Sequence, residues 1–137
     1  MTIESKQVVA QTTPEKMYDF LGDFNNLSRM LPTGQMQQCT ADRCTISVGG
    51  FMQLTLVYLE RTPFSRIVLG PAADASTPMP AKISFLLQPE GVGQTRVRLV
   101  FDIEGTNPMM NMMLKPKLRE AADKMAEQLQ YFGSAQR

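Results

Sequence analysis

Arg96-Val97-Arg98-Leu99-Val100-Phe101-Asp102-Ile103-Glu104, with Asn107-Pro108-Met109-Met110-Asn111-Met112-Met113-Leu114 close behind it, decides the fold. In the first run Val97, Leu99, Phe101 and Ile103 alternate with Arg96, Arg98, Asp102 and Glu104, the period-two pattern of a strand whose sheet is wet on one face only. The second run opens with a cap and a first-turn proline, Asn107-Pro108, which start a helix running to about Phe132. Its apolar residues Met110, Met113, Leu114, Leu118, Ala121, Ala122, Met125, Leu129 and Phe132 recur at steps of three and four, so they form one stripe on a long amphipathic helix. Glu120 and Lys124 support its wet face. Pro116 has no amide hydrogen and its ring crowds the carbonyl of Met112, which predicts a kink or a restart there.

Working back from this strand, the same period-two pattern holds from Gln35 onward. It predicts strands over 35–41, 43–49, 51–61, 64–70, 80–89 and 93–105, divided by Ala41-Asp42, Gly49-Gly50, Thr62-Pro63, Pro71 to Pro78 and Glu90 to Gly93. Short connections make neighbouring strands antiparallel. The inward sets are Ile46 and Val48; Leu54, Leu56 and Tyr58; Ile67 and Leu69; Ile83, Phe85 and Leu87. Residues 2–11 read as an opening strand. Thr13-Pro14 then starts a helix carrying Met17, Phe20 and Leu21, and Asp23 caps a second with Phe24, Leu27, Met30 and Leu31, stopped by Pro32-Thr33-Gly34. The expectation is one α+β domain over 1–137, with a seven-stranded curved antiparallel sheet, two short helices after strand 1 and a long C-terminal helix.

Composition narrows the chemistry. The 137 residues include no His and no Trp, and 14 basic against 13 acidic side chains leave a net charge of +1. Triads and general bases that need His are excluded, and nearly all zinc sites with them, since two cysteines cannot supply four ligands. Neither a resident cofactor nor a metal is expected, and no catalytic motif stands out. The field that draws a protein onto nucleic acid is missing. No segment has the apolar length of a signal peptide or a bilayer-spanning helix, which predicts a cytoplasmic protein without stable membrane insertion. Cys39 and Cys44 flank Ala41-Asp42, a poor two-residue turn, and cytosolic thiols are kept reduced, so the pair is expected to be reduced and structural.

A seven-stranded face is roughly 30 Å wide, whereas one helix covers about 10 Å. The sheet must curl around the helix, and the volume between them either fills with side chains or stays open to a ligand.

The element order, together with Thr13-Pro14-Glu15-Lys16-Met17-Tyr18-Asp19-Phe20-Leu21 and Asp23-Phe24-Asn25-Asn26-Leu27 in the two short helices, resembles the SRPBCC (START-like, Bet v 1-like, polyketide cyclase-like) superfamily. Asn107-Pro108-Met109-Met110-Asn111-Met112-Met113 with Lys117-Leu118 is similar to a bacterial branch of it. The resemblance covers essentially the whole chain. It implies a helix-grip architecture with a deep, mostly apolar pocket between sheet and terminal helix, used across the superfamily for lipids, sterols, polyketides and plant hormones.

The lining expected for such a pocket comprises Leu56, Tyr58, Ile67, Phe85, Leu99 and Phe101 from the sheet and Met110, Met113, Leu114 and Leu118 from the helix. Tyr58 reads in two ways, as a ring lining the cavity whose hydroxyl fixes a ligand's polar end, or as a core tyrosine bonded to a backbone carbonyl. Flexible thioethers suit a mouth for varied apolar ligands, and Met110 and Met113 are placed inward by helical spacing; ordinary core is the other reading. Met109 and Met112 point outward, either into solvent or onto a second subunit in a homodimer. Arg43, Arg61, Arg66, Arg96 and Arg98 belong to solvated edges and faces. Asp102 and Glu104 share the outer face, which argues against an acid–base pair. The segment 71–78 is a lid or a plain surface loop. The leading function is binding of a small hydrophobic molecule. A cyclase- or dehydratase-like enzyme and a protein-interaction module are the alternatives.

Overall fold

The computed structural model describes residues 1–26, 36–37, 40–48, 52–72 and 81–135, of which 36–37, 46–48, 52–54 and 132–135 are described as backbone. The strands are β1 (Thr2–Glu4), β2 (Val8–Ala10), β3 (Met36–Gln37), β4 (Arg43–Val48), β5 (Met52–Thr62), β6 (Arg66–Pro71), β7 (Ala81–Gly91) and β8 (Gln94–Ile103), and the helices are α1 (Pro14–Leu21) and α2 (Pro108–Ala135). Residues 24–26 are also helical; the rest of the expected second helix lies outside the described residues. β3 to β8 form an antiparallel meander in sequence order, and β1 and β2 both pair with β8 at its far side. The curved sheet therefore has the seven lanes expected, with the opening strand divided.

Ser5 makes that division. Its amide donates to the Leu99 carbonyl at 2.9 Å, and its hydroxyl accepts from the Leu99 amide at 2.9 Å, so a side chain replaces one rung of the ladder. The freed backbone turns toward α2, where the Lys6 amide donates to Asp123 Oδ1 at 2.8 Å and the Lys6 ammonium pairs with Glu127.

Both helix starts predicted from a cap followed by proline carry their caps. Thr13 Oγ1 accepts from the Lys16 amide at 3.2 Å, and Asn107 Oδ1 from the Met110 amide at 2.8 Å. α1 ends where the Gly22 amide returns to the Tyr18 carbonyl at 2.9 Å. α2 runs unbroken through Pro116, so the restart allowed by the sequence does not occur. Pro116 and Met112 lie on the exposed side, where water can satisfy the carbonyl that the proline leaves without a donor.

Register places the inner face in cross-strand rows. Ile3, Phe101, Ile83, Leu69 and Tyr58 form one, Leu99, Phe85 and Ile67 the next, and Val8, Val97 and Leu87 a third. α2 packs chiefly on β8, β2 and β1, while α1 lies over β6, β7 and β8. The long helix thus covers one side of the sheet, and its buried stripe is Leu114, Leu118, Ala122, Ala126 and Leu129.

The turn at Ala41-Asp42 does form. The Thr40 amide donates to the Arg43 carbonyl at 2.8 Å, and Thr40 Oγ1 accepts from the Arg43 amide at 3.2 Å, so a threonine side chain supplies the closure that Ala-Asp lacks. Cys44 is fully buried and disulfide-bonded, which corrects the reduced-thiol expectation. Antiparallel pairing of β3 with β4 holds the two arms of this hairpin together, and that proximity favours the bond. Cys39, the chain's other cysteine, lies outside the described residues.

Candidate functional site

The expected lining is brought together with one exception. Leu56, Ile67, Phe85, Leu99, Phe101, Leu114 and Leu118 all belong to one buried cluster, with Tyr58 and Met110 packed partly buried against it. Met113 is not there. It is 66% exposed, which corrects its inward placement: each residue turns the helix by about 100°, and Met113 falls roughly 140° from Leu118 at the middle of the buried stripe. Ile46, Val48 and Leu54 have no described side chains, and most of the 71–78 segment lies outside the described residues.

At the centre of the inner face the rows are shut. Leu56, Ile67, Phe85 and Leu99 are at most 1% exposed. Two cavities bounded by described residues alone lie elsewhere. One of about 570 Å³ sits on the outer face among Arg66, Leu86, Arg96 and Arg98, and one of about 510 Å³ follows the β5 bulge around Asp42, Leu59 and Arg61. The outer-face arginines carry ion pairs there: Arg66 with Glu60 at 3.6 Å, Arg98 with Glu4 at 3.4 Å, and Arg96 with Glu90. Asp102 accepts from Thr2 Oγ1 at 2.7 Å on the same outer side, a structural use for one member of the Asp102 and Glu104 pair.

Tyr58 settles into the second of its two readings. Its hydroxyl donates to the Leu21 carbonyl at 2.6 Å, the Phe24 ring lies 4.6 Å from its own, and the Arg61 guanidinium sits 4.0 Å above it. Burial pushes the phenol well above its ordinary pKa of 10.0, and nearby Arg61 opposes the shift only in part. Tyr58 is therefore a neutral clamp on the end of α1, and its one donor is already committed.

The polar group that the residue pattern misses is Asn111. It lies three residues before Leu114 and seven before Leu118, on the stripe that faces the sheet. Its Oδ1 is buried, and among the described residues only it and Thr12 Oγ1 are buried side-chain oxygens without a hydrogen-bond partner. Helical spacing from Leu118 is the signal that finds it; residue type hides it, because an asparagine adds nothing to an apolar stripe. Thr12 stands at the opposite end of β8, where Thr95 Oγ1 donates to the Thr12 carbonyl at 2.7 Å. The buried polar residues among those described are Ser5, Thr12, Ser84 and Thr95, so no carboxylate, lysine or arginine is buried there. Groups of three or more His, Cys, Asp or Glu able to hold a metal ion are absent among the described residues.

Comparison with known proteins agrees with this fold. The family model described as polyketide cyclase / dehydrase and lipid transport matches residues 11–130. A START superfamily protein from Mycobacterium smegmatis superposes with a TM-score of 0.78 at 14% identity, covering 99% of each chain. A protein from Mesorhizobium loti gives a TM-score of 0.71 at 16% identity over 100% of this chain and 99% of that one. One from Thermus thermophilus gives 0.69 at 16% identity over 99% of each. No functionally curated protein matches the sequence.

Proposed function

Because the chain belongs to the polyketide cyclase / dehydrase and lipid transport family, we propose that it binds a small hydrophobic molecule, lipid- or polyketide-like, between the inner face of the sheet and the first half of α2. The observation that carries this reading is Asn111 Oδ1, buried without a partner on the stripe of Leu114 and Leu118. A buried acceptor left unmet costs about 1–3 kcal/mol, and a hydroxyl or acid at the end of an apolar ligand offsets that cost by donating to it. Leu56, Ile67, Phe85, Leu99 and Phe101 supply the apolar wall, Leu114 and Leu118 the facing side, and Met110 and Tyr58 flank it. The flexible Met110, partly buried at the edge of this wall, suits an entrance beside the first turns of α2.

Binding without turnover is favoured over a cyclase or dehydratase. General acid–base chemistry needs an ionisable group inside, and the tyrosine on the inner face is held neutral with its proton engaged.

The test is native mass spectrometry of protein purified without detergent, before and after solvent extraction. The expected result is an extractable apolar mass whose occupancy falls about tenfold in Asn111→Leu, as loss of one buried hydrogen bond implies. A bare protein mass that also takes up neither dodecanoate nor 1-naphthol overturns the proposal.

A further inference from the structure

We propose that the first three turns of α2 dock on the surface of an anionic lipid bilayer. Met109, Met112 and Met113 are 73%, 81% and 66% exposed, and with exposed Pro116 they follow the i, i+3, i+4, i+7 spacing of a single helical stripe. That stripe lies close to 180° from the buried one through Leu114, Leu118 and Ala122, so it cannot serve the interior. Three long apolar side chains are therefore held out on a helix whose other face packs against the sheet.

Charge decides what covers them. From Gly105 to Arg119 the chain carries Lys115, Lys117 and Arg119 and no acidic residue. By helical rotation Lys117 flanks the methionine stripe on one side, and Arg119 and Lys115 flank it on the other. The first acidic residue beyond, Glu120, is paired with Lys124 at 3.1 Å. A lipid surface with anionic headgroups accepts both parts at once, since the thioethers enter the acyl boundary while the basic stems reach back to the phosphates. A symmetric second copy fits less well, because it would set Lys115 and Arg119 against their own copies. No helix among the described residues is long and apolar enough to cross a membrane, so α2 would lie along the interface.

Vesicle co-sedimentation of the full chain tests this, using phosphatidylcholine alone and phosphatidylcholine with roughly 30% phosphatidylglycerol. The expected result is partitioning at least about tenfold stronger onto the anionic vesicles and weakened by salt. The triple variant Met109→Ser/Met112→Ser/Met113→Ser should lose about tenfold or more of that partitioning, and Lys115→Gln/Arg119→Gln should lose the preference for phosphatidylglycerol. All five positions are exposed, so melting temperature should stay unchanged and serves as the control for folding. No binding to anionic vesicles, binding unaltered in the triple variant, or a dimer in sedimentation that the triple variant abolishes overturns the proposal. Asn111→Leu should leave vesicle binding intact, which separates this surface from the interior site.

Discussion

The Tyr58 hydroxyl donates to the Leu21 carbonyl at 2.6 Å, joining the middle of β5 to the last turn of α1. A helix leaves its final carbonyls without partners, and this bond satisfies one of them from the sheet. Phe24 lies beside the ring and Arg61, itself 3.3 Å from Asp42, above it, so the ring is packed on both sides. α1 is thereby held at a fixed height over the inner face, where its buried Met17 and Leu21 help shut the central row.

Tyr58→Phe should therefore lower stability by about 1–2 kcal/mol, read from urea midpoints, because the Leu21 carbonyl stays buried without its donor. Ligand occupancy should be unchanged, since the ring remains. Unaltered stability with lost occupancy would show the hydroxyl serving a ligand instead.

Alkaline pH tests the same bond through its proton. The folded-state pKa of Tyr58 lies above the unfolded value near 10.0, so the folded chain binds the proton more tightly. Its contribution is present in full below pH ~10 and is lost as pH rises from there toward the folded pKa, with a slope approaching ~1.4 kcal/mol per pH unit. Denaturation followed at increasing pH should show this decline in the wild type and not in Tyr58→Phe. Absorbance should show one of the three tyrosines ionising only as the protein unfolds.

The orientation of α2 predicts a contrast between two residues five apart. Leu118, 1% exposed, should cost about 2–5 kcal/mol on truncation to Ala, and Met113, 66% exposed, less than about 0.5 kcal/mol. A costly Met113→Ala would return that side chain to the interior.

The strict alternation from Arg96 to Glu104 makes β8 and its wet face legible, and the cap pairs Thr13-Pro14 and Asn107-Pro108 mark both helix starts. What stays hidden has particular causes. The division of the opening strand depends on Ser5 meeting a residue 94 positions away, a contact with no local signature. Met113 joins the apolar stripe on paper because it follows Met110 by three, and Asn111 drops out of it by its type, although rotation measured from Leu118 says the reverse. The Ala41-Asp42 turn looks poor because its closure comes from the hydroxyl of Thr40, one residue outside the pair. Tyr58 is legible as inward facing, but its partner on α1 belongs to tertiary packing.

Gly70 sits under Leu59 at the β5 bulge, and a Cβ added there would meet Leu59 Cδ1 at 2.2 Å and Cγ at 2.8 Å. Leu59 is half exposed and can swing aside, so Gly70→Ala should cost about 1 kcal/mol. In a double-mutant cycle Leu59→Ala should recover most of it. Additive losses would mean that the two residues do not touch.

Thiol titration of the native, unreduced protein should find no free thiol, and reduction followed by unfolding should release two. Reduction should also lower the melting temperature, because opening the link restores freedom to the unfolded chain. Two reactive thiols in unreduced protein would contradict the bond at Cys44.

The most direct measurement is a methyl NMR titration of the isotopically labelled chain with dodecanoate. Occupation of the interior predicts saturable shifts at Ile67, Ile83, Leu99, Leu114 and Leu118, strongly weakened in Asn111→Leu. Shifts confined to Met109, Met112 and Met113, or none up to the solubility limit of the fatty acid, would contradict a ligand held between sheet and helix.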